Sequence, residues 1–158
     1  MELSGSPAFT FTPQGGQLES SAFTAPFKAI AVLIVGAGFV WAWRLWSGGI
    51  LVATVPSSGW LVAALGMMAY TEWFILTGKT TLDSTGIKQT WMWNKHTEWH
   101  DLAFAKLIRV RGMDWLVAPR LYTKTFSGKL AVFYAANPAM LAEFDRLAQA
   151  LELKRNQR

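Results

Sequence analysis

Between Ala29 and Thr71 the chain carries one charged side chain, Arg44, in 43 consecutive residues. A soluble domain of 158 residues does not readily leave so long a stretch uncharged, because its surface needs ionic groups spread along the chain. Across the whole sequence 52% of residues are hydrophobic and 16% charged, against roughly 25% charged in an average soluble domain. The deficit lies in the first half. Met1–Gly78 holds two basic and three acidic residues, whereas Lys79–Arg158 holds 13 basic and 7 acidic ones. The change near Gly78 divides the sequence into an apolar half and a basic half.

The apolar half has room for two membrane spans. A bilayer core needs about 20 helical residues, and Pro26–Trp46 meets that length when Lys28 and Arg44 extend their amines to the two interfaces. Ser58–Gly78 supplies the second span, with Pro56 and the serines behind it as helix-start chemistry. Trp41, Trp43, Trp46 and Trp60 flank the connector at one end, while Phe27 and Trp73 mark the other, as an interfacial aromatic belt requires. Gly36 and Gly38 let the helices approach closely. The apolar run Ile50–Val55 of the connector suits the interface. Glu72 falls within the second span about one turn from its end and is a candidate intramembrane contact: it reaches headgroup water or pairs with a basic group such as Lys79, the sharper alternative being a contact with another subunit.

Lysines and arginines collect on the side opposite the connector, which predicts that both termini are cytoplasmic. Residues 1–26 form a polar leader without the basic start of a signal peptide, expected to be flexible or to lie along the membrane surface. The expected division is therefore a leader over 1–26, a transmembrane hairpin over 27–78, a cytoplasmic domain over 79–153 and a basic tail over 154–158.

Beyond Gly78 the hydrophobic period changes from helical to strand-like. Asp83–Gly86 (DSTG) is a turn signal between Lys79–Leu82 and Ile87–Trp93. Further strands are expected at Thr97–Leu102, Ala105–Arg111, within Trp115–Phe126 and at Lys129–Ala135. The last element is a helix: Asn137 can cap it, Pro138 suits its first position, and Met140, Leu141, Phe144, Leu147, Ala148 and Leu151 make one apolar face. Glu143, Asp145, Arg146 and Gln149 are assigned to its solvent face. The predicted fold is a membrane α-hairpin plus a small, mostly-β domain, a bent antiparallel sheet or barrel closed by one amphipathic C-terminal helix.

The order hairpin, meander, helix, carried by LDSTGIKQTWMW, EWHDL and GKLAVFYAANPAMLAEFDRL, resembles the bacterial pleckstrin-homology-like (PH-like) domains. The likeness covers about Lys79–Leu153. It implies a non-catalytic binding or assembly module in the inner membrane of a bacterium.

The stretch WMWNKHTEWH poses a chemical question. On a strand, His96, Glu98 and His100 would share a face at period two and offer a metal two imidazoles and a carboxylate. The spacing is not that of the helical HExxH motif, and the chain has no cysteine or third histidine to complete a set. A structural role accounts for more residues: Trp91, Trp93 and Trp99 face the core or the membrane interface, and Met92, Asn94, Glu98 and His100 face solvent.

Lys106, Arg109, Arg111, Arg120, Lys124 and Lys129 are candidates for binding anionic lipid or a protein partner. No phosphate-binding loop, nucleophile elbow or dinucleotide fingerprint is present, so no enzyme activity and no cofactor is expected. Nucleic acid is not an expected partner. Three functional readings remain: binding or assembly through the basic domain, an accessory subunit held in a larger complex by its hairpin, and a metal-dependent enzyme using His96, Glu98 and His100.

Overall fold

The computed structural model of the protein describes residues 9–49, 55–110 and 112–156. In chain order these form β1 (Leu18–Ser21), α1 (Ala25–Ser47), α2 (Val55–Thr77), β2 (Lys79–Leu82), β3 (Gly86–Gln89), β4 (Lys95–Glu98), a 3-10 turn (Trp99–Asp101), β5 (Leu102–Ile108), β6 (Arg120–Thr125), β7 (Leu130–Tyr134) and α3 (Pro138–Asn156).

Helices α1 and α2 form the hairpin. Each has 23 residues, or about 34 Å at ~1.5 Å per residue, and both are long and apolar enough to cross a membrane. Almost nothing in the rest of the protein covers them: Leu33, Trp43, Val62 and Met67 are all exposed. The two helices meet at Gly38, where the absent side chain leaves space filled by Leu65 and Met68. Gly36 faces open space and has no such role. Thr24 caps α1, its hydroxyl accepting from the Phe27 amide at 3.4 Å. The apolar connector run falls mainly on residues 50–54, outside the described residues.

The remaining strands form two antiparallel sheets, ordered β1-β2-β3-β4 and β5-β6-β7. Strand β1 comes from the leader. It pairs in register with β2, Leu18 opposite Leu82 and Ser21 opposite Lys79, and the Ala22 amide donates to the Gly78 carbonyl at 3.0 Å. The hairpin is thus inserted between two neighbouring strands. This corrects the expectation of a flexible leader over residues 9–26. Phe9 and Phe11 are buried in the core, and Phe11 meets Trp99 edge-on at 5.5 Å. The polar composition concealed two aromatics at alternate positions, each able to bury a large apolar area. Residues 1–8 lie outside the described residues.

Strand positions follow the turn chemistry. Asp83 Oδ1 accepts from the amides of Thr85 (2.8 Å) and Gly86 (2.9 Å), and Lys88 Nζ sits 3.0 Å from Oδ2. A side chain at Gly86 would collide with the Thr97 carbonyl of β4, so only glycine lets those strands approach. Strand β3 stops at Gln89, short of the expected Trp93, because Thr90–Asn94 turns Trp91 toward Phe23 and Phe74. Trp99 leaves the expected Thr97–Leu102 strand for the 3-10 turn, where it is buried and its indole N–H donates to the Asp83 carbonyl at 3.0 Å. Strand β5 begins three residues before Ala105 and ends at Ile108, with an irregularity between Leu102 and Phe104.

Helix α3 starts where expected, the Asn137 side chain accepting from the Ala139 amide at 3.0 Å. Its Met140, Phe144, Leu147 and Leu151 pack into one core with Leu82 and Ile87 of the first sheet and Leu121 and Phe133 of the second. Glu143 departs from the solvent-face expectation: it is 4% exposed and held by both its oxygens to Arg146 Nη1 at 2.7 and 2.8 Å. The same guanidinium lies over the Phe11 ring, 5.5 Å from its centroid, so the leader occupies a flank of the helix that a helical wheel leaves to water. The expected basic tail is the continuation of α3 through Lys154 and Arg155 to Asn156, with residues 157–158 outside the described residues.

Candidate membrane and partner interface

Cross-strand register decides which basic side chains share a surface, since directly opposed residues point to the same side of a sheet. In the β5-β6-β7 sheet one side is core: Ala105, Leu121, Thr123 and Phe133 are buried. The other side carries three rows, Ile108–Arg120–Tyr134, Lys106–Tyr122–Val132 and Phe104–Lys124–Leu130. Lys106, Arg120 and Lys124 therefore surround Tyr122 on one outer face, interleaved with apolar side chains. Three of the six candidate cations are brought together in this way. Arg109 is exposed in the chain after β5, and Lys129 is exposed in the turn before β7, so neither belongs to the rows. Arg111 lies outside the described residues. Arg109 is an odd number of positions from Lys106, so a continued strand would set it on the opposite side, but β5 ends at Ile108 before reaching it.

Lys95 is a cation that sequence reasoning missed. Its ammonium donates to the Val132 carbonyl at 3.1 Å and lies 5.9 Å from the centre of the Tyr134 ring. Burial pushes its pKa down from 10.5. Within WNKH the residue looks like part of a polar turn, and only the tertiary placement of β4 beside β7 brings it to that carbonyl.

Glu72 lines a groove between α1 and α2 with Phe27, Ile30, Ile34, Met67 and Met68. Among the described residues it has no ion-pair or hydrogen-bond partner. Lys79, the expected partner, pairs instead with Glu19 of β1 at 2.7 Å. Lys28 donates to the Leu76 carbonyl at 2.8 Å. A carboxyl group is thus left in a groove that is apolar apart from Thr71, about one helical turn inside the hairpin's open end.

The histidine cluster is assembled, but as a chain of pairs. Glu98 lies between His96 (3.7 Å) and His100 (3.2 Å) through different oxygens, and His100 turns its other nitrogen to Asp101 at 3.3 Å. His96 and Glu98 share β4, while His100 belongs to the 3-10 turn. Among the described residues no group of three or more histidines and acids is arranged to hold a metal ion.

At Asp83, desolvation works against the carboxylate but is outweighed by hydrogen bonds from Thr85, Lys88 and Gly86, which hold its pKa well below the usual carboxylate range. The carboxylate's contacts are all local, so it organises the β2–β3 turn. No family model, curated protein or solved structure matches the chain.

Proposed function

We propose that the protein is an integral membrane protein of the bacterial inner membrane, with both termini cytoplasmic, whose PH-like domain binds a partner subunit or an anionic membrane surface and catalyses no reaction. The observation that carries this reading is the pairing of an uncovered apolar hairpin with a compact domain whose β5-β6-β7 face interleaves Lys106, Arg120 and Lys124 with aromatic and aliphatic side chains. Cations on such a face draw an acidic surface, each contributing about 1 kcal/mol beside an anionic leaflet. The apolar rows supply contact area, as the centre of a protein interface does. The PH-like assignment draws support from the succession of two antiparallel sheets and a closing C-terminal helix.

A second reading has its own observation. Glu72 in the groove of the hairpin offers an acceptor to a donor on another transmembrane helix, which favours an accessory subunit held through the hairpin.

The test is purification of the tagged full-length protein in mild detergent, with identification of stoichiometric partners, for the native chain and two variants. Combined reversal of Lys106, Arg120 and Lys124 to glutamate is expected to abolish partner or anionic-vesicle association while the protein stays folded. Loss of association with Glu72→Gln alone would favour the hairpin reading. Association that survives both variants would overturn both.

A further inference from the structure

Strand directions divide the domain into an end beside the hairpin and an end away from it. Strand β2 starts at the hairpin and β3 returns to it, Gln89 lying opposite Thr80 and the Thr90 amide donating to the Lys79 carbonyl at 2.8 Å. The Thr90–Asn94 turn is therefore at the hairpin end, where Trp91 packs on Phe74 of α2. Strand β5 starts at the far end and arrives at the hairpin end with Ile108, opposite Arg120. The loop between β5 and β6 is pinned there too, because the Leu116 carbonyl accepts from the hydroxyl of Thr24, the residue that caps α1.

These two loops carry the large side chains that the fold leaves uncovered at this end. Trp93 is 73% exposed, Trp115 62% and Met113 43%. Trp93 sits two residues from Trp91, which packs on the last turns of α2, and Trp115 and Met113 sit one and three residues from Leu116, which is tied to the cap of α1. Lys28, Arg109 and Arg120 are at the same end, with Asp114 as the acidic exception among the exposed loop residues. The opposite end gathers Asp83, Glu98 and Asp101 together with Lys129 of the β6–β7 turn.

We infer that Trp93, Met113 and Trp115 lie in the headgroup layer of the bilayer that the hairpin spans, so that the domain rests on the membrane through the β3–β4 and β5–β6 loops. This rests on the membrane reading of the hairpin. The occupant is phospholipid because the hairpin's apolar helices end at these loops, and any bilayer crossed by those helices has its interface there. Indoles favour that layer: the ring is apolar and flat while its N–H still reaches water or an ester oxygen. The cations beside them complement anionic headgroups. The rim fixes the tilt of the domain, and with it the height of the Lys106–Arg120–Lys124 face above the membrane.

The chain has no cysteine, which makes the test direct. Single cysteines at Trp93→Cys and Trp115→Cys, and at the exposed neighbours Asn94→Cys and Met113→Cys, are labelled with bimane in the full-length protein. Leu33→Cys reports on α1, and Phe126→Cys, in the β6–β7 turn at the far end, reports on water. Vesicles of phosphatidylcholine and phosphatidylglycerol are prepared with and without brominated acyl chains. Quenching at 93, 94, 113 and 115 is expected to be several-fold stronger than at 126 and to approach that at 33. Quenching at 33 without quenching at any of the four loop sites would overturn the inference and assign the rim to water or to a protein partner. No quenching at 33 would overturn the membrane reading itself.

Discussion

Thr24 and Leu116 stand 92 residues apart in sequence and are joined by a 2.8 Å hydrogen bond from the threonine hydroxyl to the leucine carbonyl. The same oxygen accepts from the Phe27 amide. One side chain therefore starts α1 and ties the β5–β6 loop to it. Thr24→Val keeps the shape and removes both bonds. It is expected to cost about 1–2 kcal/mol in chemical unfolding of the detergent-solubilised protein, and to speed hydrogen exchange at Leu116–Ala118. Thr24→Ser should behave as the native chain. Equal behaviour of the valine variant would show that the loop is held by other contacts.

Asp83 sets the acid limit of the β2–β3 turn. Its folded pKa lies below the ordinary 3.8, so its contribution to stability is fully present above that value and is lost as pH falls through it toward the folded value. Asp83→Asn should destabilise the domain by about 1–2 kcal/mol at neutral pH. The native and variant stability curves should converge on acidification below 3.8. Parallel curves over that range would show that the carboxylate gains nothing from folding.

Phe11 tests whether the leader belongs to the domain. It is buried against Trp99, with Arg146 over its ring. Phe11→Ala is expected to cost about 3 kcal/mol and to expose the chain before Leu18 to limited proteolysis. A loss within about 0.5 kcal/mol would mean that the core closes without it.

The parts of the fold legible in the sequence are those with dense local signals. Forty-three residues with a single charge announced the hairpin to within a few residues, and Asn137–Pro138 with an apolar stripe announced α3. The DSTG turn was equally plain. Illegible parts depend on partners distant in sequence. The pairing of β1 needs strand β2, which follows the whole hairpin, and the tetrapeptide LESS carries almost no strand propensity of its own. Glu143 looks solvent-facing on a helical wheel because the leader that packs against its partner Arg146 lies more than 100 residues earlier. At the candidate face, strand alternation sets Lys106 and Ile108 on one side of β5, but grouping Lys106 with Arg120 and Lys124 around Tyr122 required the register of β5 on β6. Arg109 and Lys129 are equally basic and fall outside those rows for the same reason.

The insertion of the hairpin between β1 and β2 has a consequence for the order of events during synthesis. Ser21 and Lys79, 58 positions apart, are register partners, so the first strand leaves the ribosome long before the strand it pairs with exists. Closing a flexible loop of that length costs entropy that no local contact repays. Once α1 and α2 have packed, however, the chain leaves them where it entered, and Ala22 is already within a hydrogen bond of Gly78. A pairing that is remote along the chain then becomes a local one, closed by a few residues at each end. Assembly of the hairpin is thus the step that lets the domain's outermost strand find its place, and a chain whose helices fail to associate would present β2 as an open edge ready to pair with other molecules.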